Sequence, residues 1–173
     1  PCSYKAWITC EAQVIAMARQ IGKVAAHLGQ IERLKGQRIV LALEPEPDCT
    51  IETTDEFLRF FEGTLMTEAS AEIASSSDLE WSEARQLVRR HVGICFDTAH
   101  AAVEYEDIAR SLRRLRDAGV CIAKVQLSAA MEAPMVSRAS RPRLLLSDEA
   151  QRLREFEDSV YLHQAKAQLT NGA

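Results

Sequence analysis

The sequence predicts an α/β fold with parallel strands alternating with helices, and three observations predict it. Short runs of Ile, Val and Leu, apolar on both faces, alternate with stretches of helical period. That is the pattern of βαβ units and of a parallel sheet covered on both sides. Two of the runs end in acid: "RIVLALEPEP" (38–47) at Glu44 and Glu46, and "GICFDTAH" (93–100) at Asp97. In a third, "VCIAKVQLS", strand alternation gives Lys124, Gln126 and Ser128 one face and Val125 and Leu127 the other. The apolar face can pack under helices. The polar face needs surroundings that tolerate a charge and an amide, which a closed β/α barrel provides inside its mouth.

Along the chain, apolar residues at 14/15, 18, 21, 24/25, 28, 31 and 34 predict a helix over about 11–35, ending near Gly36. "RIVLALE" is the first strand. "TTDEFLRFFEGTL" is a helix with Thr53 and Glu56 as a capping box and Phe57, Leu58, Phe61 and Leu65 on one face. The Ser-rich stretch 66–78 reads as a loop or a weakly specified helix. Ser77 and Glu80 are set to cap a helix over about 79–91. "HVGICFD" is the second strand, "EDIARSLRRLRDAG" a helix closed by Gly119, and "VCIAKVQLS" the third strand. A loop over 129–146, a helix in "LSDEAQRLREFE", a fourth strand in "SVYLHQAKA" and a disordered tail over 167–173 complete the prediction. No internal repeat occurs. Neither Gly-x-Gly-x-x-Gly nor Gly-x-x-x-x-Gly-Lys follows a strand, which removes the main support for a nucleotide-binding α/β fold.

The 173 residues suffice for one domain, and 47% hydrophobic residues make the composition globular. A net charge of −4 gives no reason to expect nucleic acid or an anionic membrane as partner. Arg89-Arg90 and Arg113-Arg114-Leu115-Arg116 read as solvated helix faces. Five cysteines, an odd number with no Cys-x-x-Cys, predict a reduced, cytoplasmic protein, with Cys95 and Cys121 as small hydrophobes. No run approaches the roughly 20 apolar residues of a membrane span, so no membrane insertion is expected. No signal peptide is visible. The chain opens on Pro1-Cys2, so its natural start is expected upstream.

In parallel α/β folds the ligand lies at the carboxyl ends of the strands. Glu44, Asp97 and Gln126 offer two carboxylates and an amide from one rim. Such donors suit Mg²⁺, Mn²⁺ or a related divalent ion, which could polarise a carbonyl or stabilise an enediolate. An unligated carboxylate could instead be a general base. The alternatives are structural: Asp97 as the cap of a turn, and Glu-Pro-Glu-Pro as an exposed loop. Alternation puts Glu46 beside Glu44 if the strand continues through Pro45. His27 and His91 read as ordinary helix residues, and Trp7 and Trp81 as packing.

The strand-end series "ALEPEP", "FDTAH", "KVQLS" resembles the xylose isomerase-like TIM barrels, the sugar phosphate isomerase/epimerase superfamily. There a Glu, an Asp, a His and a second Glu on successive strands hold one divalent ion. The resemblance implies Glu44 and Asp97 as the first two ligands and His100, three after Asp97, as a substrate contact. Gln126 falls where the third ligand is usually His, and the fourth acid would lie beyond the C-terminus. "SYK", "RIVLALEPEPDCTIETTDEFLRFFE", "GICFDTAHAAVEYED", "AKVQLSAA" and "VYLHQ" together resemble the EboE family of metabolite traffic proteins, over nearly the whole chain. That family has this barrel and is associated with moving or processing a prenylated or aromatic secondary metabolite.

A full barrel takes about 250 residues. Residues 1–173 are therefore expected to be a single incomplete barrel domain. The implied partner is a small-molecule metabolite, with Lys124, Glu46 and His163 as further candidate contacts beside His100. Two functions follow. One is a divalent-metal-dependent isomerase or epimerase acting on a carbonyl or polyol compound, with Glu44 and Asp97 at the reacting centre. The other is a non-catalytic metabolite-binding protein of a trafficking system. The Gln at 126 favours the second, and the Asp97–His100 pair favours the first.

Overall fold

The computed structural model describes residues 3–132 and 165–168. Helix α1 (Glu11–Lys35) opens with the Gln13 side chain accepting from the Thr9 and Cys10 N–H groups at 2.7 and 3.2 Å. It closes on Gly36, whose φ of 67° is left-handed backbone that glycine adopts without a Cβ penalty. Its buried stripe is Ala18, Ile21, Gly22, Ala25 and Gly29. Of the larger apolar residues of the predicted stripe Ile21 alone is on that line, and Val24 and Leu34 are exposed. Small residues won the seam because the neighbouring helix comes so near: a Cβ on Gly22 would lie 2.8 Å from the Ala69 carbonyl oxygen.

Strand β1 is Leu41–Leu43, shorter than the apolar run predicted. The residues before it are held by other means. The Arg38 guanidinium donates to the Arg90 carbonyl at 2.9 and 3.1 Å, and the Ile39 carbonyl lies 2.8 Å from His91 Nδ1. His91 is fully buried, and its Nε2 lies 3.2 Å from Glu32. It is a junction between helix and strand rather than an ordinary helix residue.

Helix α2 (Thr54–Arg59) passes through a π-helical turn, Phe60–Leu65, into α3 (Met66–Ser76). Thr53 accepts from the Glu56 N–H as predicted, but the Glu56 carboxylate takes the Glu52 N–H instead of closing the box on Thr53. Phe57 and Phe61 stack at 5.6 Å. The Ser-rich stretch is ordered helix because Met66, Ala69, Ser70 and Ile73 repeat at helical spacing and are buried. Helix α4 (Trp81–His91) starts at Glu80, not Ser77: Glu83 accepts from the Glu80 N–H at 2.9 Å, whereas the Ser77 hydroxyl bonds back to the Ile73 carbonyl at 2.7 Å.

Strand β2 (Val92–Asp97) follows α4 without a loop. Helices α5 (Thr98–Val103) and α6 (Ile108–Asp117) and strand β3 (Ile122–Gln126) complete the described elements. The three strands form a parallel sheet in the order β1-β2-β3. Register sorts the two faces. Leu43 pairs with Ile94 and Phe96 with Val125, while Cys95 pairs with Lys124 and Asp97 with Gln126. Leu43, Val92, Ile94 and Phe96 join Phe57, Phe61, Leu65, Val88 and Leu115 in the core. Full burial of each such side chain is worth about 1.5–3 kcal/mol.

The apolar face of β3 departs from prediction. Val125 is 48% exposed and Leu127 is 89% exposed, so among the described residues that face is largely open. Trp7, at 66%, is exposed rather than packed, with Tyr4 edge-on to it, and Trp81 is exposed too. No described helix is long and apolar enough to cross a membrane. Cys10, Cys49, Cys95 and Cys121 are free thiols. The predicted helix in "LSDEAQRLREFE", most of the 129–146 loop and of the fourth strand, and His163 lie outside the described residues.

Candidate functional site

The site is built where the polar faces of three strands meet at their carboxyl ends. Leu43 opposite Ile94 brings Glu44, the next residue, alongside Cys95. Asp97 closes β2 and its side chain is the cap of α5, with Oδ1 accepting from Ala99 N–H at 2.8 Å and His100 N–H at 3.3 Å. The cap read from the sequence is realised on Oδ1, and a carboxylate's second oxygen is left to face the neighbouring strand. Oδ1 also accepts from the Ser128 hydroxyl at 2.6 Å, and Oδ2 accepts from Gln126 Nε2 at 2.8 Å. Burial raises the Asp97 pKa, but the Ser128 hydroxyl and the His100 and Ala99 N–H groups outweigh it, so the group lies below its ordinary value.

Gln126 ties the rim together. Its Nε2 also donates to Glu44 Oε1 at 2.6 Å, and its Oε1 accepts from Lys124 Nζ at 2.8 Å. His100, in the first turn of α5, swings toward β1. Its Nδ1 lies 3.1 Å from the Pro45 carbonyl and 3.4 Å from Glu44 Oε1. Both neighbours are acceptors, so Nδ1 bonds them as a donor. Glu44, Asp97 and His100 each offer a donor atom within 4.8 Å of the others.

Five of the residues picked from the sequence, Glu44, Asp97, His100, Gln126 and Lys124, thus come together. Glu46 does not join them. The strand stops at Leu43, the chain turns, and the Glu46 carboxylate receives the Cys49 thiol at 3.6 Å. Two residues of the site carry no assigned role in the sequence reading. Ser128 was visible as the third member of the polar face of β3. Cys95 lies two before Asp97 and hence on its face, but a cysteine inside an apolar run is equally a core residue. Its thiol is buried, and burial and then the Glu44 carboxylate push its pKa up.

Beside the site, Pro45, Phe96, Asp97 and His100 line a small cleft with Glu52, Thr54 and Glu106. Glu106 accepts from both the N–H and the hydroxyl of Thr54 at 3.0 Å. Burial raises its pKa in spite of those bonds. Further out, Lys166 Nζ reaches Asp48 at 2.7 Å, Glu52 at 2.8 Å and Glu104 at 3.5 Å.

Two carboxylates and an imidazole converging this closely fit a hard or borderline divalent cation. Gln126 as oriented presents N–H groups to the same two carboxylates, not an oxygen. Compared with known proteins, the chain matches no family model, no curated protein and no solved structure. The resemblance therefore rests on the sequence motifs alone.

Proposed function

We propose that this chain carries the cation-binding rim of a xylose isomerase-like (β/α) barrel of the EboE type. On this reading the protein acts on a small carbonyl or polyol metabolite as a divalent-metal-dependent isomerase or epimerase. The observation that carries the proposal is the convergence of Glu44, Asp97 and His100 within 4.8 Å at the carboxyl ends of adjacent parallel strands. Glu44, Asp97 and His100 would hold Mg²⁺, Mn²⁺ or a related ion. Such an ion supplies polarisation of a substrate oxygen.

The chain's own residues do the rest. Pro45 and Glu44 fix the His100 ring. Ser128 and the first turn of α5 keep Asp97 ionised. Glu44 has the exposure to meet a substrate proton, its side chain being 32% accessible.

A second reading, a non-catalytic metabolite carrier, is favoured by the Gln126–Lys124 chain, which gives both carboxylates a hydrogen-bond partner from within. Titration of the chain with Mn²⁺, beside the double variant Glu44→Gln plus Asp97→Asn, separates the two. Stoichiometric binding that the double variant loses supports the metal-dependent enzyme. Equal uptake by both proteins, or none by either, gives the carrier the lead.

A further inference from the structure

Gln126 occupies a peculiar position for a neutral side chain. One end lies between two carboxylates, at 2.6 Å from Glu44 and 2.8 Å from Asp97, and the other end is held by an ammonium 2.8 Å away. The hydrogen-bond chemistry fixes which end is which. Carboxylates only accept and an ammonium only donates, so the NH₂ must face the acids and the carbonyl must face Lys124. All three bonds are charge-assisted and stronger than neutral ones.

The amide therefore does for Glu44 and Asp97 what a cation would do: it places positive hydrogens between two negative groups. A divalent ion at the same carboxylates meets those hydrogens with the wrong sign. An amide has a simple way out, because a half-turn about its last torsion exchanges NH₂ for oxygen. The half-turn makes Gln126 an oxygen donor to the ion. It also points an NH₂ at Lys124, and two donors cannot bond.

We propose that Gln126 and Lys124 form a lock on the cation site, in which an entering divalent ion turns the Gln126 amide over and so releases the Lys124 ammonium. The inference rests on the cation reading above. It adds that the bare site is held closed by its own side chains. It also adds that the ion frees a lysine on the same sheet face, where an anionic or carbonyl oxygen of a ligand could take it. Lys124 is a positioning residue here, acting on the ion through Gln126. Cys95 lies alongside Glu44 and is paired in register with Lys124.

The test is a double-mutant cycle on Mn²⁺ affinity with the unaltered chain, Lys124→Met, Gln126→Leu and the pair. Removing a nearby positive charge tightens cation binding in any background, by about twofold for an exposed lysine. The lock adds a further term that needs Gln126. Lys124→Met is expected to tighten Mn²⁺ by about tenfold when Gln126 is present and by only about twofold in Gln126→Leu. Equal tightening in both backgrounds overturns the lock and leaves the cation site standing. Absence of Mn²⁺ binding in every protein overturns both.

A second measurement needs no variant. The Gln126 side-chain amide protons, held by two carboxylates, should resonate downfield in ¹H–¹⁵N spectra and move upfield on saturation with Mg²⁺. A signal unmoved by Mg²⁺ overturns the lock.

Discussion

Asp97 divides its oxygens between the backbone and the site. Oδ1 takes the Ala99 and His100 N–H groups and the Ser128 hydroxyl, while Oδ2 takes Gln126. Substitutions can separate these roles. Asp97→Asn keeps an oxygen for the cap, whereas Asp97→Ala removes it. The alanine variant should lose about 1 kcal/mol more in urea unfolding than the asparagine variant, the usual cost of an N-cap. Both should lose Mn²⁺ affinity. Equal stability of the two variants would show that the cap contributes nothing. A strand-end acid was legible in the sequence because a central strand has no other use for one. That Asp97 caps and faces the site together was not legible, since capping and site roles were read as alternatives for one side chain. The orientation of Gln126 was beyond reach for a different reason. The neighbours that fix its NH₂ end are 29 and 82 residues away in the chain.

At the scale of elements, the site depends on β3 lying tight against β2. The register shifts by one residue between Ile94 and Cys95, and Gly93 lies just before the shift. A Cβ on Gly93 would come 2.3 Å from the Cys121 carbonyl oxygen, a backbone atom that cannot step aside. Gly93→Ala should therefore cost about 1–3 kcal/mol as overpacking. It should also weaken Mn²⁺ binding without touching any donor, because Gln126 moves with β3. Thermal unfolding and the same titration check both effects, and an unchanged melting temperature would refute the close approach. Helix ends with strong chemistry were legible, as at Gly36 and Gly119, both left-handed. The start of α4 was misread at Ser77 because Ser-x-x-Glu and Glu-x-x-Glu overlap there, and only the backbone conformation chooses between them. The length of β1 was overread since apolar residues 39 and 40 look the same whether strand pairing or a buried histidine holds them.

Across the molecule, the loop after β1 is fastened by charge as well as by apolar packing, with Ile51 buried in the core. The Lys5 N–H donates to the Asp48 carbonyl and the Thr50 N–H to the Ser3 carbonyl, so the first described residues brace the loop from one side. Glu52 is the centre of this bracing. It accepts from the Asp48 N–H at 2.7 Å and pairs with both Lys5 and Lys166. None of these partnerships could be read from the sequence, where Lys5, Glu52 and Lys166 are unremarkable surface charges. Burial raises the Glu52 pKa, but the two lysines and the Asp48 N–H override it and bring it to about 2 from an ordinary 4.5. The sign of the consequence follows. As pH falls, the unfolded chain takes up this proton before the folded one does, so acid favours unfolding. The stabilisation is complete above 4.5 and is lost as pH falls toward about 2. Glu52→Gln removes that dependence. The stability difference between the unaltered chain and Glu52→Gln, from urea titrations across this range, should be flat near neutrality. It should shrink steadily below 4.5 and vanish near pH 2. Added salt should reduce it at every pH, since the Lys5 side chain is half exposed. A difference that stays constant through the acid range would mean that Glu52 is not held by charge in solution, and the loop that carries Pro45 toward His100 would need another anchor.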